Sequence, residues 1–490
     1  MTTMLAPSGQ ASGQVVELML EVPPGKVIQY DMARLCSALG VDDPTRVAVE
    51  TDGLRRAIVT IYPANPLAEI RGVTRTDLVM DRHGRITVGR YHNGRPVRRR
   101  LFDPRTGSAQ RFLLFGTTGS GKSRTVHLEL IAEKINGVVS WVADLKHGQS
   151  VPEARGAVDW FGTTAEETIL MLEGAVGVAK ERMIRYARLG RTAFLPWHPD
   201  PLLHVTVDEA NRLLEKGAPY RDRATYLIRE LGRTGRSVGV GIRLAAQASH
   251  LEELGGSDTL RAMLKEGEVT LLRWSSSMMR QLVADGLLPA GAQLMPIPKT
   301  LQQATLVSQF DEADDDDEEA GGTQGMAYVL SSQHPTSLMR HYRVGAIEPT
   351  PGLDPEILAL YGDDEPARLE AASWEAAGRA YEYRHDPHAM ATLCAQLASE
   401  HTSDPVAPTQ FVRDEAPAPA PTKGRLLDDR IIDVLRNAQA PMTADDILAG
   451  VLADGGKQVS LGSVRNTLGG LVDSGDVVRA GHGLYATPTS

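Results

Sequence analysis

Residues 111–132 read R-F-L-L-F-G-T-T-G-S-G-K-S-R-T-V-H-L-E-L-I-A, and no other stretch restricts the fold as tightly. The apolar run Phe112 to Phe115 has the length and composition of a buried strand. It empties into Gly116-Thr117-Thr118-Gly119-Ser120-Gly121-Lys122-Ser123, a full match to G-x-x-x-x-G-K-[ST]. Val126, Leu130 and Ile131 then fall on one side of a helical period. Strand, glycine loop and helix together form an anion cradle. The glycines let successive N–H groups turn toward one phosphate, and the helix N-terminus adds the positive end of its dipole. In such a cradle Lys122 reaches the β/γ-phosphates of ATP and the Ser123 hydroxyl takes one position on Mg²⁺.

The spacing of the remaining elements predicts an α/β fold. Strands are expected at Gly137 to Ala143, Leu202 to Val207, Val238 to Ala246 and Val269 to Trp274, with helices at Thr164 to Leu189 and Arg221 to Leu231 between them. Alternation of this kind gives a mainly parallel sheet covered on both faces, with ligands bound beyond the carboxyl ends of the strands. Asp144, Asp208, Glu209 and Gln247 all follow strand ends, so they are expected on one rim with the glycine loop. There Asp208 would hold Mg²⁺ through water and Glu209 would polarise an attacking water. An Asp-Glu pair after a strand also suits a helix N-terminal cap. Asp144-x-Lys146 fits either the rim or an exposed ion pair. Gln247 fits a γ-phosphate sensor or a turn.

Ahead of this α/β unit, residues 14–108 predict a small α+β domain. It holds a strand at Val15 to Val22, a helix at Met32 to Leu39 and a strand pair around Thr51-Asp52-Gly53. A hairpin is expected near His83-Gly84 within Leu78 to Arg90. The α/β unit itself is assigned to 109–348, with closing strands at Met326 to Leu330 and Leu338 to Val344. Residues 349–423 predict one helix, near Arg368 to Arg379, and a stiff Pro/Ala-rich linker around A-P-A-P-A-P. Residues 1–13 read as an unstructured tail.

Charge is unevenly distributed. The formal net charge is −10, but the acidic insertion at 311–320 carries eight carboxylates, and without them the chain stands at −2. Nine arginines lie between Asp81 and Arg111. The overall sign therefore excludes no polyanionic partner. No stretch reaches the ~18 apolar residues of a membrane span, and the N-terminus lacks a signal-peptide core. Cys36 and Cys394 have no metal-ligand spacing and read as reduced thiols, which together predicts a cytoplasmic protein.

G-T-T-G-S-G-K-S after an apolar strand, V-D-E-A at 207–210 and G-R-S-V-G-V-G-I-R-L-A-A-Q at 235–247 resemble the FtsK/SpoIIIE-type DNA translocase motor. V-P-P-G-K-V from Val22, R-V-A-V-E-T-D-G and I-V-T-I-Y-P-A-N-P resemble the small domain that precedes it, so the similarity runs over about residues 15–345. A-V-D-W-F after D-L-K, with the C-terminal domain, looks most like the TraB-type plasmid-transfer proteins of actinobacteria. The resemblance implies a RecA-like ATPase working as a homo-hexameric ring on double-stranded DNA, with a trans-acting arginine for which Arg236, Arg273 and Arg280 are candidates. Those relatives usually carry membrane spans and no acidic insertion. Membrane contact would therefore require a partner protein.

Residues 424–490 predict three helices, Asp428 to Ala438, Thr443 to Leu452 and Ser460 to Ser474, followed by a two-stranded wing. A winged helix sets its third helix in the major groove. Ser460, Ser463, Arg465 and Asn466 are then exposed candidates near its start, with Arg and Asn suited to base contacts, and Lys457, Arg479 and His482 for the DNA backbone. Such domains also dock proteins, and seven Lys/Arg against eight Asp/Glu leave that alternative open. A different class of function is a winged-helix DNA-binding regulator whose P-loop domain serves as a nucleotide-gated switch.

Overall fold

A computed structural model describes residues 14–52, 54–247, 267–273, 294, 296–299, 322–330, 336–403, 427–438, 440–453, 459, 461–473, 476–481 and 484–487. Two compact units result, residues 1–405 and residues 406–490. The acidic insertion, Arg280, Lys457, Ser460 and His482 lie outside the described residues, as does the side chain of Asn466.

In the first unit β1 (Val16–Glu21), β2 (Val47–Asp52) and β3 (Arg56–Ile61) form an antiparallel sheet in the order β1-β3-β2. The helix Met32–Leu39 packs Met32 and Cys36 onto it. Asp31 caps that helix by accepting from Arg34 N at 2.9 Å, and Gly40 ends it in the left-handed region that glycine favours.

The next strands are β4 (Arg85–Tyr91), β5 (Pro96–Arg100), the short pair β6 (Phe102–Asp103) and β7 (Ser108–Ala109), and β8 (Arg111–Gly116). The hairpin expected at His83-Gly84 is not there. Thr74 and Asp77 form a capping box on the short 3₁₀ helix Arg75–Leu78, so no strand precedes that turn. Asp81 accepts from the backbone of His83 and Arg85 instead, and the hairpin closes between Tyr91 and Pro96. The remaining strands are β9 (Val139–Asp144), β10 (Trp160–Gly162), β11 (Leu203–Asp208), β12 (Val240–Ala246), β13 (Glu268–Leu272), β14 (Met326–Leu330) and β15 (Leu338–His341).

One sheet of ten strands runs β10-β9-β11-β12-β8-β13-β14-β15-β4-β5. The first six are parallel and the last four extend it antiparallel. The hairpin β4–β5, assigned from sequence to the small domain, thus belongs to the large sheet that carries the glycine loop. Both faces are covered, which is why these strands read as continuous apolar runs. Leu113, Phe115 and Trp141 enter the core with the helices Ala165–Arg188 and Arg221–Thr234, while Leu114, Val142 and Ala245 pack with the helix Lys122–Ile135.

Four strand spacings separate β5 from β13, about 19 Å in a flat sheet. Yet Arg99 on β5 pairs with Glu268 on β13 and donates to Thr270 at 2.5 Å. The antiparallel end therefore curls back over the sheet. Arg99 also pairs with Glu129 of the P-loop helix. Glu129 shares Arg243 with Glu133, which is bonded to His204 at 2.8 Å and to Ser140 at 2.6 Å. The arginine-rich stretch is thus partly spent inside: Arg99 is buried, and Arg85, Arg90 and Arg100 pair with Asp81, Glu69 and Asp103.

Burial opposes ionisation of Glu133, but the charges of Arg243 and His204 and the bonds from His204 and Ser140 outweigh it and hold the carboxyl at about 2. A lowered carboxyl pKa stabilises the fold above its ordinary value of 4.5, and that contribution is lost as pH falls from there toward about 2. Glu133→Gln leaves Arg243 short of a buried partner and should cost about 3 kcal/mol at pH 7. Thermal melting checks this: the gap between variant and wild type should close as pH drops through that window.

Residues 349–403 hold more structure than one helix and a linker. The helix Pro355–Tyr361 docks on the P-loop helix through Arg124–Asp354 at 2.8 Å and His127 Nδ1 with the Tyr361 hydroxyl at 3.0 Å. Around the expected helix the chain forms two shorter ones, Ala371–Ala376 and Gly378–Glu382, and the helix Pro387–Ser403 follows. Tyr381 donates to the buried Asp159 at 2.7 Å, and Arg384 pairs with the same carboxylate at 3.0 Å.

The second unit contains helices Leu427–Arg436, Ala444–Ala453 and Leu461–Asp473 around Ile431, Ile447, Val451, Val464 and Leu468. Strands Val478–Gly481 and Leu484–Ala486 pair as the expected hairpin, and Met442–Thr443 adds a third strand that sequence reading missed. Thr443 caps the second helix in a mutual exchange with Asp446.

Candidate nucleotide site

The six parallel strands end on a common rim. The register aligns Asp208 with Asp144, Ala246 with Phe115 and Leu272 with Gly116. The glycine loop leaves the end of β8, and Gly119 and Gly121 carry φ values of 73° and 97°. Gly121 is the N-cap of the P-loop helix, with no side-chain cap on its first N–H groups. These donors are therefore left for an anion. Ser120 is fully buried and its Oγ has no partner among the described residues. A Cβ on Gly116 would meet that oxygen at 2.5 Å, so the position requires glycine. On the inner side the loop is braced by Gly325 N, which donates to Ser120 O at 2.9 Å.

Lys122 opens the helix and points across the rim. Its Nζ lies 2.5 Å from Asp208 Oδ1 and 2.6 Å from Glu209 Oε1. β11 delivers both carboxylates, with β12 between it and the P-loop strand. Burial disfavours the Lys122 ammonium, yet Asp208 and Glu209 overcome this and raise its pKa. Glu209 is likewise pulled below the usual glutamate range, as the bonds from Lys122 and Lys146 and their charges outweigh its burial. Its backbone is at φ 55°, a conformation a non-glycine residue holds only when its surroundings enforce it. The helix N-cap reading of Asp208-Glu209 does not hold: the helix that follows, Asn211–Leu214, has Ala210 as N-cap and no side-chain cap bond.

Gln247 follows β12 and donates to Glu209 Oε2 at 3.2 Å, so among its described contacts it orients the glutamate. Asp144 is a loop anchor that accepts from the backbone of Lys146, Ser150 and Val151. Lys146 meets the buried Glu209 at Oε1, 2.8 Å away, so it joins the rim and not the exposed ion pair that Asp144-x-Lys146 also allowed. Arg273 follows β13 at φ 45°, beside its own glycine loop: a Cβ on Gly119 would lie 3.6 Å from its terminal nitrogen. It donates to Thr323 Oγ1 at 3.0 Å and Lys299 O at 3.3 Å. Arg236 is exposed on the turn Gly235–Val238, before β12 and so at the opposite edge of the sheet from its own rim.

The fold is that of a P-loop NTPase. No family model matches the chain. Among curated proteins, the ESX secretion system protein EccC of Thermomonospora curvata is 29% identical over 197 residues, 36% of this chain and 15% of that protein. The chain thus matches only a small part of that relative's length. Among solved structures, the pCW3 conjugation coupling protein TcpA, in a monomer form with ATPgS, is similar at 13% identity and a TM-score of 0.43, over 69% of this chain and 87% of that one. The cytoplasmic domain of the Thermomonospora curvata type VII secretion ATPase EccC is similar at 21% identity and a TM-score of 0.43, over 68% of this chain and 35% of that one.

The residues present also fit Mg²⁺ beside ATP. Asp208 Oδ2 is buried without a partner among the described residues, an oxygen that a hydrated cation can satisfy, and Ser123 opens the helix beside Lys122. Magnesium usually takes one or two protein ligands and completes its shell with water and phosphate. In the second unit Ser463 and Arg465 are exposed on the third helix, and Arg479 is exposed on the hairpin. Arg465 lies 3.6 Å from Asp445, with both side chains more than half exposed. Such a pair is worth little and leaves the arginine available. Among the described residues, no helix is long and apolar enough to cross a membrane.

Proposed function

We propose that this chain is an ATPase motor that moves double-stranded DNA, in the transfer of a plasmid or integrative element between cells. The observation that carries the reading is the rim itself, where a phosphate cradle with no side-chain cap lies beside Lys122, Asp208 and Glu209. Bound ATP draws Lys122 from the carboxylates to the β/γ-phosphates. Ser123, and Asp208 through water, would hold Mg²⁺, which would supply charge to neutralise the phosphates. Glu209 then takes a proton from the attacking water. The ring is a homo-hexamer in which Arg236, remote from its own site, completes a neighbour's. The site is cytoplasmic, and a partner protein supplies any membrane anchor.

The test is the rate of ATP hydrolysis with and without long linear duplex DNA. A manyfold stimulation supports a motor, and a slow rate unchanged by DNA supports the nucleotide-gated regulator. The EccC similarity favours a second reading, in which the motor moves a polypeptide and DNA does not stimulate it.

The C-terminal unit is a winged helix that selects the DNA. Phosphate contacts position a motor without specifying sequence, so choice needs a separate reader. Six copies on one ring would bind clustered short repeats with avidity. Residues 424–490 are expected to bind a short repeated element of the cognate replicon, and Arg465→Ala should weaken this by ~1–3 kcal/mol. Gel-shift titration against scrambled repeats checks it, and deleting the unit should leave DNA-stimulated hydrolysis intact. A protein ligand in place of DNA would favour the docking alternative.

A further inference from the structure

Among the described residues Glu209 is faced by four groups. Lys122 comes from the P-loop helix, Lys146 from the loop after β9, Asp208 from its own strand and the neutral Gln247 from the end of β12. The two ammonium groups converge on one oxygen, Oε1, at 2.6 and 2.8 Å. They differ in what nucleotide binding does to them. Lys122 has a second destination in the phosphates of the proposed substrate. Among the described residues Lys146 pairs with no other acidic group, so it stays on the carboxylate when Lys122 leaves.

The loop that carries Lys146 is built to keep it there. Asp144 is fully buried and accepts from Lys146 N at 3.0 Å, Ser150 N at 2.7 Å and Val151 N at 3.2 Å. Arg212, four residues past the Asp208-Glu209 pair's first member, donates to Leu145 O at 3.2 Å and ties this loop to the segment after β11. The Lys146 side chain is 31% exposed while that of Glu209 is 1% exposed. The lysine thus sits at the mouth of the rim, where it can be drawn off without opening the core.

Both oxygens of Glu209 are thus occupied, Oε1 by Lys122 and Lys146 and Oε2 by Gln247 at 3.2 Å. In the proposed hydrolysis the water oxygen bonds to the γ-phosphorus, the bond from that phosphorus to the β-bridging oxygen breaks, ADP leaves, and the water proton passes to Glu209. An oxygen already held by Lys146 is poorly placed to receive it. We infer that Lys146 is a positioning residue that restrains Glu209, keeping hydrolysis slow until the lysine is drawn off the rim. This rests on the reading of Glu209 as the base.

The experiment uses the full-length chain without DNA. Lys146→Met keeps the apolar stem and removes the ammonium, while Lys146→Arg keeps a cation. The Lys146→Met chain should hydrolyse ATP faster by roughly threefold to tenfold in kcat, a modest share of what a general base contributes. KM should change little, so that the gain appears in kcat alone. Lys146→Arg should restore the slow rate. An unchanged or lower kcat in Lys146→Met, with ATP binding intact, overturns the inference. Glu209→Gln is assayed alongside. If it hydrolyses like wild type, the site reading itself fails; if it is inactive while Lys146→Met is unchanged, only the restraint fails.

Discussion

Glu209→Gln is expected to bind ATP about as well as wild type and to hydrolyse it at least ~10²-fold more slowly. The substitution keeps the shape and both hydrogen-bonding atoms, so the positive φ at this position and the contacts to Lys122, Lys146 and Gln247 can persist in altered form. What it removes is the only charge on that side chain able to accept a proton. The carboxyl is held below the usual glutamate range by its lysines, despite burial. It is therefore ionised at neutral pH, and hydrolysis should fail only at the acid end as that carboxyl protonates. Single-turnover hydrolysis beside a nucleotide-binding titration separates the two effects.

Lys122→Ala should do the opposite and remove binding itself. Asp208 and Glu209 are almost fully buried, and Lys122 is the one cation that touches both among the described residues. Without it two adjacent carboxylates face an incoming polyphosphate with only Lys146 beside them. The phosphates lose a charge-assisted hydrogen bond, about 1.5–3 kcal/mol, and meet the repulsion of the two carboxylates as well. Nucleotide affinity should fall by at least ~10²-fold, since each 1.4 kcal/mol is a factor of ten. Titration with a fluorescent ATP analogue reads this directly, and near-wild-type binding would refute the role given to the lysine.

The core of the site was legible because each of its parts has a local signature. The glycine loop is a continuous motif, and Asp208, Glu209 and Gln247 each follow an apolar run that ends at the rim. Lys146 was only half legible. Its sequence position placed it near a strand end, but its partner depends on β9 lying beside β11, which no local pattern states. The same holds for Arg99. A run of arginines reads as a basic surface, and only the curl of the antiparallel strands turns one of them inward to Glu129 and Glu268. The helix Pro387–Ser403 did carry a signal: Met390, Leu393, Cys394 and Leu397 follow helical spacing, and all four contribute to the core. Its position between a Pro-bounded turn and the Pro/Ala-rich segment hid it. The hairpin was misplaced because Asp81 makes the turn geometry of a hairpin without a strand before it.

The central proposal is that hydrolysis at this rim drives movement along duplex DNA. Displacement of a triplex-forming third strand from linear duplexes of increasing length, followed in ATP and in a non-hydrolysable analogue, tests it most directly. The account predicts displacement in ATP alone, with a lag that grows with the distance travelled, and none with Glu209→Gln. ATP hydrolysis by the full chain without any displacement, on every duplex tried, would contradict it.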